Sequence, residues 1–149
     1  MSKIIFKKVE THVELKGAFA VRREVFITEQ KIREEEEWDG LDEVCLQFIA
    51  RNGKRIIGTA RVHFPSPNEA KIERMAVLKA FRRQGVGTGI LVCIEQELSK
   101  RGVPEAVLHA QITAAPFYRA CGYDETGPHF QEAGIEHVKM SRRLTGKGS

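Results

Sequence analysis

Apolar residues change period several times along the chain. Ile4, Phe6 and Val9 are spaced as in a short strand. Val13, Leu15, Ala18, Phe19, Val21, Val25 and Phe26 then recur at roughly helical spacing, predicting a helix over about 12–27 in which Arg22 is the polar exception. Thr11, with Glu14 three residues later, reads as a capping box for it. Periodicity lapses over 28–43, a loop or broken helix carrying Glu34 to Glu37, Trp38, Asp39 and Asp42.

Strand patterns follow over 44–50 and 55–64, joined by the hairpin signal Asn52-Gly53. After Pro65-Ser66-Pro67-Asn68 a third strand runs over 70–77, so 44–77 reads as an antiparallel meander. Beyond Val77 the period returns to helical, with Ile90, Leu91, Ile94 and Leu98 on one face of a helix over about 85–100 that Arg101-Gly102 closes. A short strand at 106–110, a helix at 113–121 stopped by Gly122, extended chain from Tyr123 and a last strand at 137–142 complete the order. Hairpins join the middle strands, whereas the strand–helix–strand unit at 70–110 needs a crossover. The fold class expected is α/β (α+β), a mixed central sheet with helices on both faces, in one domain over 1–149.

Composition narrows the function classes. With 42% hydrophobic and 30% charged residues the chain reads as globular and not disordered. No apolar run approaches the ~20 residues of a membrane span, and the start lacks a signal-peptide stretch, so no membrane role and a cytoplasmic location are expected. The formal charge of +4 is spread along the chain, unlike the dense basic face of a nucleic-acid binder. Cys45, Cys93 and Cys121 are odd in number and far apart, and no histidine pair has ligand spacing, so neither a disulfide framework nor a metal site is expected.

The most informative stretch is Arg82-Arg83-Gln84-Gly85-Val86-Gly87-Thr88-Gly89, between a predicted strand and a predicted helix. A helix start offers unpaired N–H groups and partial positive charge to an anion, and glycines let the backbone approach it. The stretch lacks the Gly-Lys-Ser/Thr ending of a Walker loop, and its glycines at 85, 87 and 89 do not fit a dinucleotide fingerprint.

Arg82 to Gly87 resembles the Arg/Gln-x-x-Gly-x-Gly/Ala signature of the GNAT acetyltransferase superfamily, and the resemblance extends to 71–77 and 117–123. More narrowly, Arg23-Glu24-Val25-Phe26, Glu29-Gln30, Trp38-Asp39, Asp42, Ala110-Gln111 and the run 134–140 look like its bacterial ElaA-like and YjcF-like branch. The resemblance implies direct transfer of an acetyl group from acetyl-CoA to an amine. It places the pyrophosphate on Arg82, Arg83, Gln84, Gly85, Val86, Gly87 and Thr88, and the pantetheine beside Met75, Ala76 and Val77. Glu73 is then the candidate base, its alternative a polar residue alternating with Ile72; Tyr118 is the candidate acid, its alternative a packed aromatic. His137 matches a family position that lines the acceptor pocket or packs, and His109 reads as a core or pocket-edge histidine.

Family geometry puts the acceptor under the segment after the first helix, with Phe26, Glu29, Trp38 and Asp39 as candidate contacts. Seven carboxylates between Glu29 and Asp42 would attract a small amine, polyamine or peptide amine, or form a solvated acidic loop. A homodimer is compatible with the family. Two competing readings are a non-catalytic acyl-CoA-binding module and an acyl-homoserine-lactone synthase-like enzyme.

Overall fold

The computed structural model describes residues 3–144. In chain order it has β1 (Ile4–Lys8), α1 (His12–Arg22), α2 (Glu34–Glu37), β2 (Leu46–Asn52), β3 (Arg55–Ser66), β4 (Glu69–Val77), α3 (Val86–Lys100), β5 (Glu105–Gln111), α4 (Ala115–Ala120), β6 (Asp124–Glu132) and β7 (Ile135–Arg143). The strands form a mixed sheet in the order β1-β2-β3-β4-β5-β7-β6, the α/β architecture that the strand order predicts. β4 and β5 pair in parallel, with α3 as the crossover, while β1–β2, β2–β3, β5–β7 and β6–β7 are antiparallel. No helix among the described residues is long and apolar enough to cross a membrane.

The chain divides into two compact units, whose described residues are 3–63 with 74–94, and 64–73 with 95–144. In the first, Phe48, Ile49, Ile57, Val62, Val86 and Ile90 are buried. Two glycines bring its elements close: a Cβ on Gly58 would lie 3.0 Å from both Ile90 and Val86, and one on Gly89 would overlap the Cζ edge of the Phe6 ring. In the second, Ile72, Leu98, Leu108, Tyr123, Val138 and Met140 are buried.

The close approach at Gly89 fixes the sign of a stability test. Alanine there gains about 1 kcal/mol of helix propensity but forces Phe6 aside, an overpacking that typically costs about 1–3 kcal/mol. Gly89→Ala is therefore expected to destabilise the native chain and to stabilise a Phe6→Ala background. Urea midpoints of the four proteins in the cycle measure both signs.

Two sequence expectations are corrected in the first unit. The helix expected over 12–27 is α-helical only to Arg22, then continues as a π-helical turn over Arg23–Glu29. The extra residue per turn keeps Val25 and Phe26 buried together against Val21 and Ala76. The capping box is present, Thr11 Oγ1 accepting from the Glu14 amide at 3.1 Å. The stretch expected as loop or broken helix contains α2 and a 3₁₀ turn at Asp42–Val44, so β2 starts at Leu46 and not at 44. Their positions are set by ion pairs and not by apolar period.

In the second unit the helix expected over 113–121 is a 3₁₀ turn, Ile112–Ala114, followed by α4. Pro116 stands in the first turn of α4, where its missing N–H has no helical acceptor to lose.

Candidate active site

In the first unit β4 ends at Val77, Lys79–Phe81 form a 3₁₀ turn, and residues 82–85 lead into α3. Arg83 and Gly85 are both left-handed, with φ of 63° and 81°. The Gly85 carbonyl accepts the Gly89 amide at 3.0 Å, closing the first turn of α3. The amides of Val86 and Gly87 are therefore among those that a helix leaves without an intrahelical acceptor. Arg83, Gln84, Gly85 and Thr88 are exposed, so the helix start is open to an anion.

The Arg82 side chain is engaged elsewhere. Its Nη1 and Nη2 donate to the two Glu29 oxygens, both at 2.7 Å, and its Nε donates to the Val77 carbonyl at 2.9 Å. The Arg82 hydrogen bonds hold the Glu29 carboxyl below its ordinary value. The guanidinium thus ties the end of the π-helical turn to the end of β4, and Arg82 serves the loop by fixing its entry.

The acidic segment is also largely answered within the chain. Glu37 meets Arg22 at 2.8 Å and Arg74 at 3.3 Å, and Asp42 meets Arg22 at 2.6 Å and Arg61 at 3.0 Å. Asp39 takes hydrogen bonds from both Arg61 Nη atoms, and Arg74 lies 3.4 Å from it. Glu34 pairs with Arg23, Glu36 with Arg33 and Glu29 with Arg82. Six of the seven carboxylates counted in the sequence thus have arginine partners, so attraction for an outside cation is far weaker than the count implies. Arg22 and Arg61 are fully buried. Burial pushes the Glu37 carboxyl up and the neighbouring guanidiniums pull it back, whereas the Arg61 hydrogen bond holds Asp39 well below the carboxylate range.

Trp38 packs edge-on against Phe19, 5.6 Å between ring centres, and lies under the guanidinium of Arg22 at 4.8 Å. Phe26 is buried beside Ala76. Of the four acceptor-side candidates, Phe26 and Trp38 are therefore packed into the unit, and Glu29 and Asp39 are bound to arginines. Arg74 is left-handed within β4, φ 58°, and its Nη2 donates to the Glu37 carbonyl at 3.1 Å, which braces the strand next to Glu73 and Met75.

The second unit holds the catalytic candidates. The parallel ladder of β4 with β5 covers only Ala70–Ile72 against Ala106–Leu108, so Glu73 and His109 each stand one residue past its last rung. The Glu73 carboxylate lies 3.2 Å from Lys71 Nζ. His109 Nδ1 lies 2.9 Å from Glu132 Oε1, and that contact holds the Glu132 carboxyl below its ordinary value. His137 is buried, bonded through Nδ1 to the Ile135 carbonyl at 2.7 Å and stacked on Phe130, which makes it a packed residue of the β6–β7 hairpin.

Tyr118 is buried on α4, its ring edge-on to Phe117 and to Tyr123. Burial pushes its hydroxyl up, so it stays protonated throughout the neutral range. Tyr123 instead donates to Glu95 Oε2 at 2.7 Å. Sequence reading missed the Arg22–Arg61–Arg74 network and the His109–Glu132 pair. Its one available signal was Arg22 on an apolar helix face; nothing linked Glu132 to His109, 23 positions away.

Comparison with known proteins identifies the family. The family description "Acetyltransferase (GNAT) domain" matches residues 8–144. The uncharacterised N-acetyltransferase YjcF of Bacillus subtilis is 36% identical over 143 residues, covering 95% of this chain and 99% of YjcF. A crystal structure of an N-acetyltransferase candidate from Lactobacillus plantarum superposes with a TM-score of 0.86 at 29% identity, covering 95% of this chain and 97% of that one. Escherichia coli ElaA shares the fold with a TM-score of 0.82 at 21% identity, covering 93% and 99%. The chain belongs to the GNAT acetyltransferase family and is an acyltransferase.

Proposed function

We propose that the protein moves an acetyl group from acetyl-CoA to a primary amine by direct attack, the acceptor being a small amine, a polyamine or a peptide amine. The observation that carries the reading is the open start of α3 behind a left-handed turn at Arg83 and Gly85. Backbone N–H groups of Val86 and Gly87, with those of Arg83, Gln84 and Thr88 nearby, grip the pyrophosphate there. Met75, Ala76 and Val77 pair with the pantetheine in the manner of an added strand, and an N–H of Ala76 or Val77 polarises the thioester carbonyl.

Glu73 draws the acceptor ammonium toward β4 and takes its proton through water, and Tyr118 protonates the departing thiolate. The amine nitrogen bonds to the acetyl carbon as the carbon–sulfur bond breaks, its electron pair leaving with sulfur. Phe26 and Trp38 support the acceptor side from behind, and Glu29 and Asp39 hold its walls through Arg82 and Arg61. His137 shapes the second unit from its stack on Phe130.

Calorimetry with acetyl-CoA tests the cofactor half. Saturable binding is expected, with affinity at least about tenfold weaker in Gly87→Leu, because blocking one charge-assisted amide contact forfeits about 1.5–3 kcal/mol. Thiol release with spermidine, tyramine and a short peptide bearing a free amino terminus tests the acceptor half. No binding in the native protein, or equal binding in the variant, refutes the assignment.

A further inference from the structure

We propose that His109, oriented by Glu132, is the proton acceptor that completes the acid–base machinery of the acetyl transfer just described. The inference rests on that reading of the function and adds a residue to it.

The sheet register places the relevant groups on one face. His109 of β5 stands opposite Lys139 of β7, and Gln111 opposite His137. Phe130 of β6 stands opposite His137, and Glu132 opposite Ile135. On β4, Lys71 pairs with Val107, so Lys71 and Glu73 share the face of Val107 and His109. Because Ile72↔Leu108 is the last rung, His109 is on β5 what Glu73 is on β4: the first residue past the end of the parallel ladder. The charged and titratable groups on this face around His109 are thus Lys71 and Glu73 from β4, Lys139 and His137 from β7, and Glu132 from β6, with Glu69, Glu105, Arg143 and Asp124 further along the same face.

His109 is built to accept a proton in one direction. The Glu132 carboxylate can only accept a hydrogen bond, so the Nδ1 facing it carries the proton and Nε2 keeps its lone pair. The Phe130 ring stands edge-on to the imidazole, 4.9 Å between centres, and fixes its plane. Among the described residues Nε2 has no partner, and the side chain is 27% exposed, so it is reachable. A carboxylate behind Nδ1 holds the tautomer and stabilises the imidazolium formed when Nε2 takes a proton. Glu73, by contrast, already faces an ammonium, that of Lys71.

In the transfer the acceptor ammonium must lose two protons. One is taken through water by Glu73, is handed on to His109 Nε2 and goes from there to solvent. The second leaves the nitrogen as the amide forms and restores the Tyr118 hydroxyl, whose own proton has gone to the CoA thiolate. The products are the amide, CoA thiol and one solvent proton, so charge and atoms balance.

The test separates this proposal from the cofactor reading. Calorimetry with acetyl-CoA comes first: His109→Gln and Glu132→Gln are expected to bind it within about twofold of the native protein, showing an intact fold and cofactor site. Absence of binding in the native protein overturns the cofactor reading, and this inference falls with it. Carbethoxylation by diethyl pyrocarbonate, mapped by mass spectrometry, then reads His109 directly. The best amine of the panel, at saturation, is expected to slow modification of His109 about tenfold while leaving the exposed His129 unchanged. With the best amine of the panel, His109→Gln is expected to lower kcat about 10²-fold at an unaltered KM for acetyl-CoA and to remove one limb of the pH–rate profile. Glu132→Gln, which keeps the imidazole, should shift that limb without abolishing it. Equal modification of His109 with and without that amine, or an unchanged kcat and pH profile in His109→Gln, overturns the proposal.

Discussion

Exchanging Arg61 for methionine is expected to destabilise the protein by about 3–5 kcal/mol, because it removes a fully buried guanidinium and three charge-assisted hydrogen bonds from the half-buried carboxylates of Asp39 and Asp42. Arg61 is fully buried and donates to Asp39 and Asp42, which also engage Arg74 and Arg22. Methionine fills much of the volume and returns none of the hydrogen bonds. At roughly 2–4 °C per kcal/mol for a chain of this size, the midpoint of thermal unfolding should fall by roughly 6–20 °C. Arg23→Ala is the control. That guanidinium pairs with Glu34 at the surface, where both side chains are about half exposed, and its loss should leave the midpoint unmoved.

The same network sets the sign of the acid response. Asp39 and Asp42 lie below their ordinary values, for Asp42 despite a burial effect that the Arg22 and Arg61 contacts overcome. Their contribution to stability is complete above the unfolded value of about 4 and is withdrawn as pH falls through the folded values. Glu37 has the opposite sign: its raised value makes its charged form unfavourable, and protonation as pH falls relieves that.

Replacing Tyr118 by phenylalanine is expected to lower kcat by about 10²-fold while leaving the unfolding midpoint in place, the signature of a lost proton donor. Among the described residues the Tyr118 hydroxyl makes no hydrogen bond, so the fold loses none with it. Tyr123 provides the contrast on the same unit. It is more deeply buried and donates to Glu95, so Tyr123→Phe should destabilise by about 1 kcal/mol and leave kcat unchanged. Steady-state kinetics and urea midpoints of the two variants settle the roles. A kcat loss in Tyr123→Phe equal to that in Tyr118→Phe would refute the assignment of the acid.

The sequence by itself determined the order of elements, the parallel crossover at 70–110 and the glycine-rich helix start. Each of these is written in nearest-neighbour chemistry: continuous buried runs in β2 and β3, alternation in β4, a 3.6 period for α3, and glycine where the chain must turn left-handed at Gly85. Only the tertiary structure decided where charge is spent. The acidic run reads as a magnet for a cationic acceptor until Arg22, Arg61 and Arg74 are found inside it, brought there from α1, β3 and β4. Val25 and Phe26 of the π-helical turn likewise share their buried cluster with Ala76 of β4, distant along the chain. The His109–Glu132 pair is legible only once β5, β7 and β6 lie side by side. Local period records which face of an element is buried; a long-range ion pair leaves no period, because its partners are chosen by the sheet order and not by spacing along the chain.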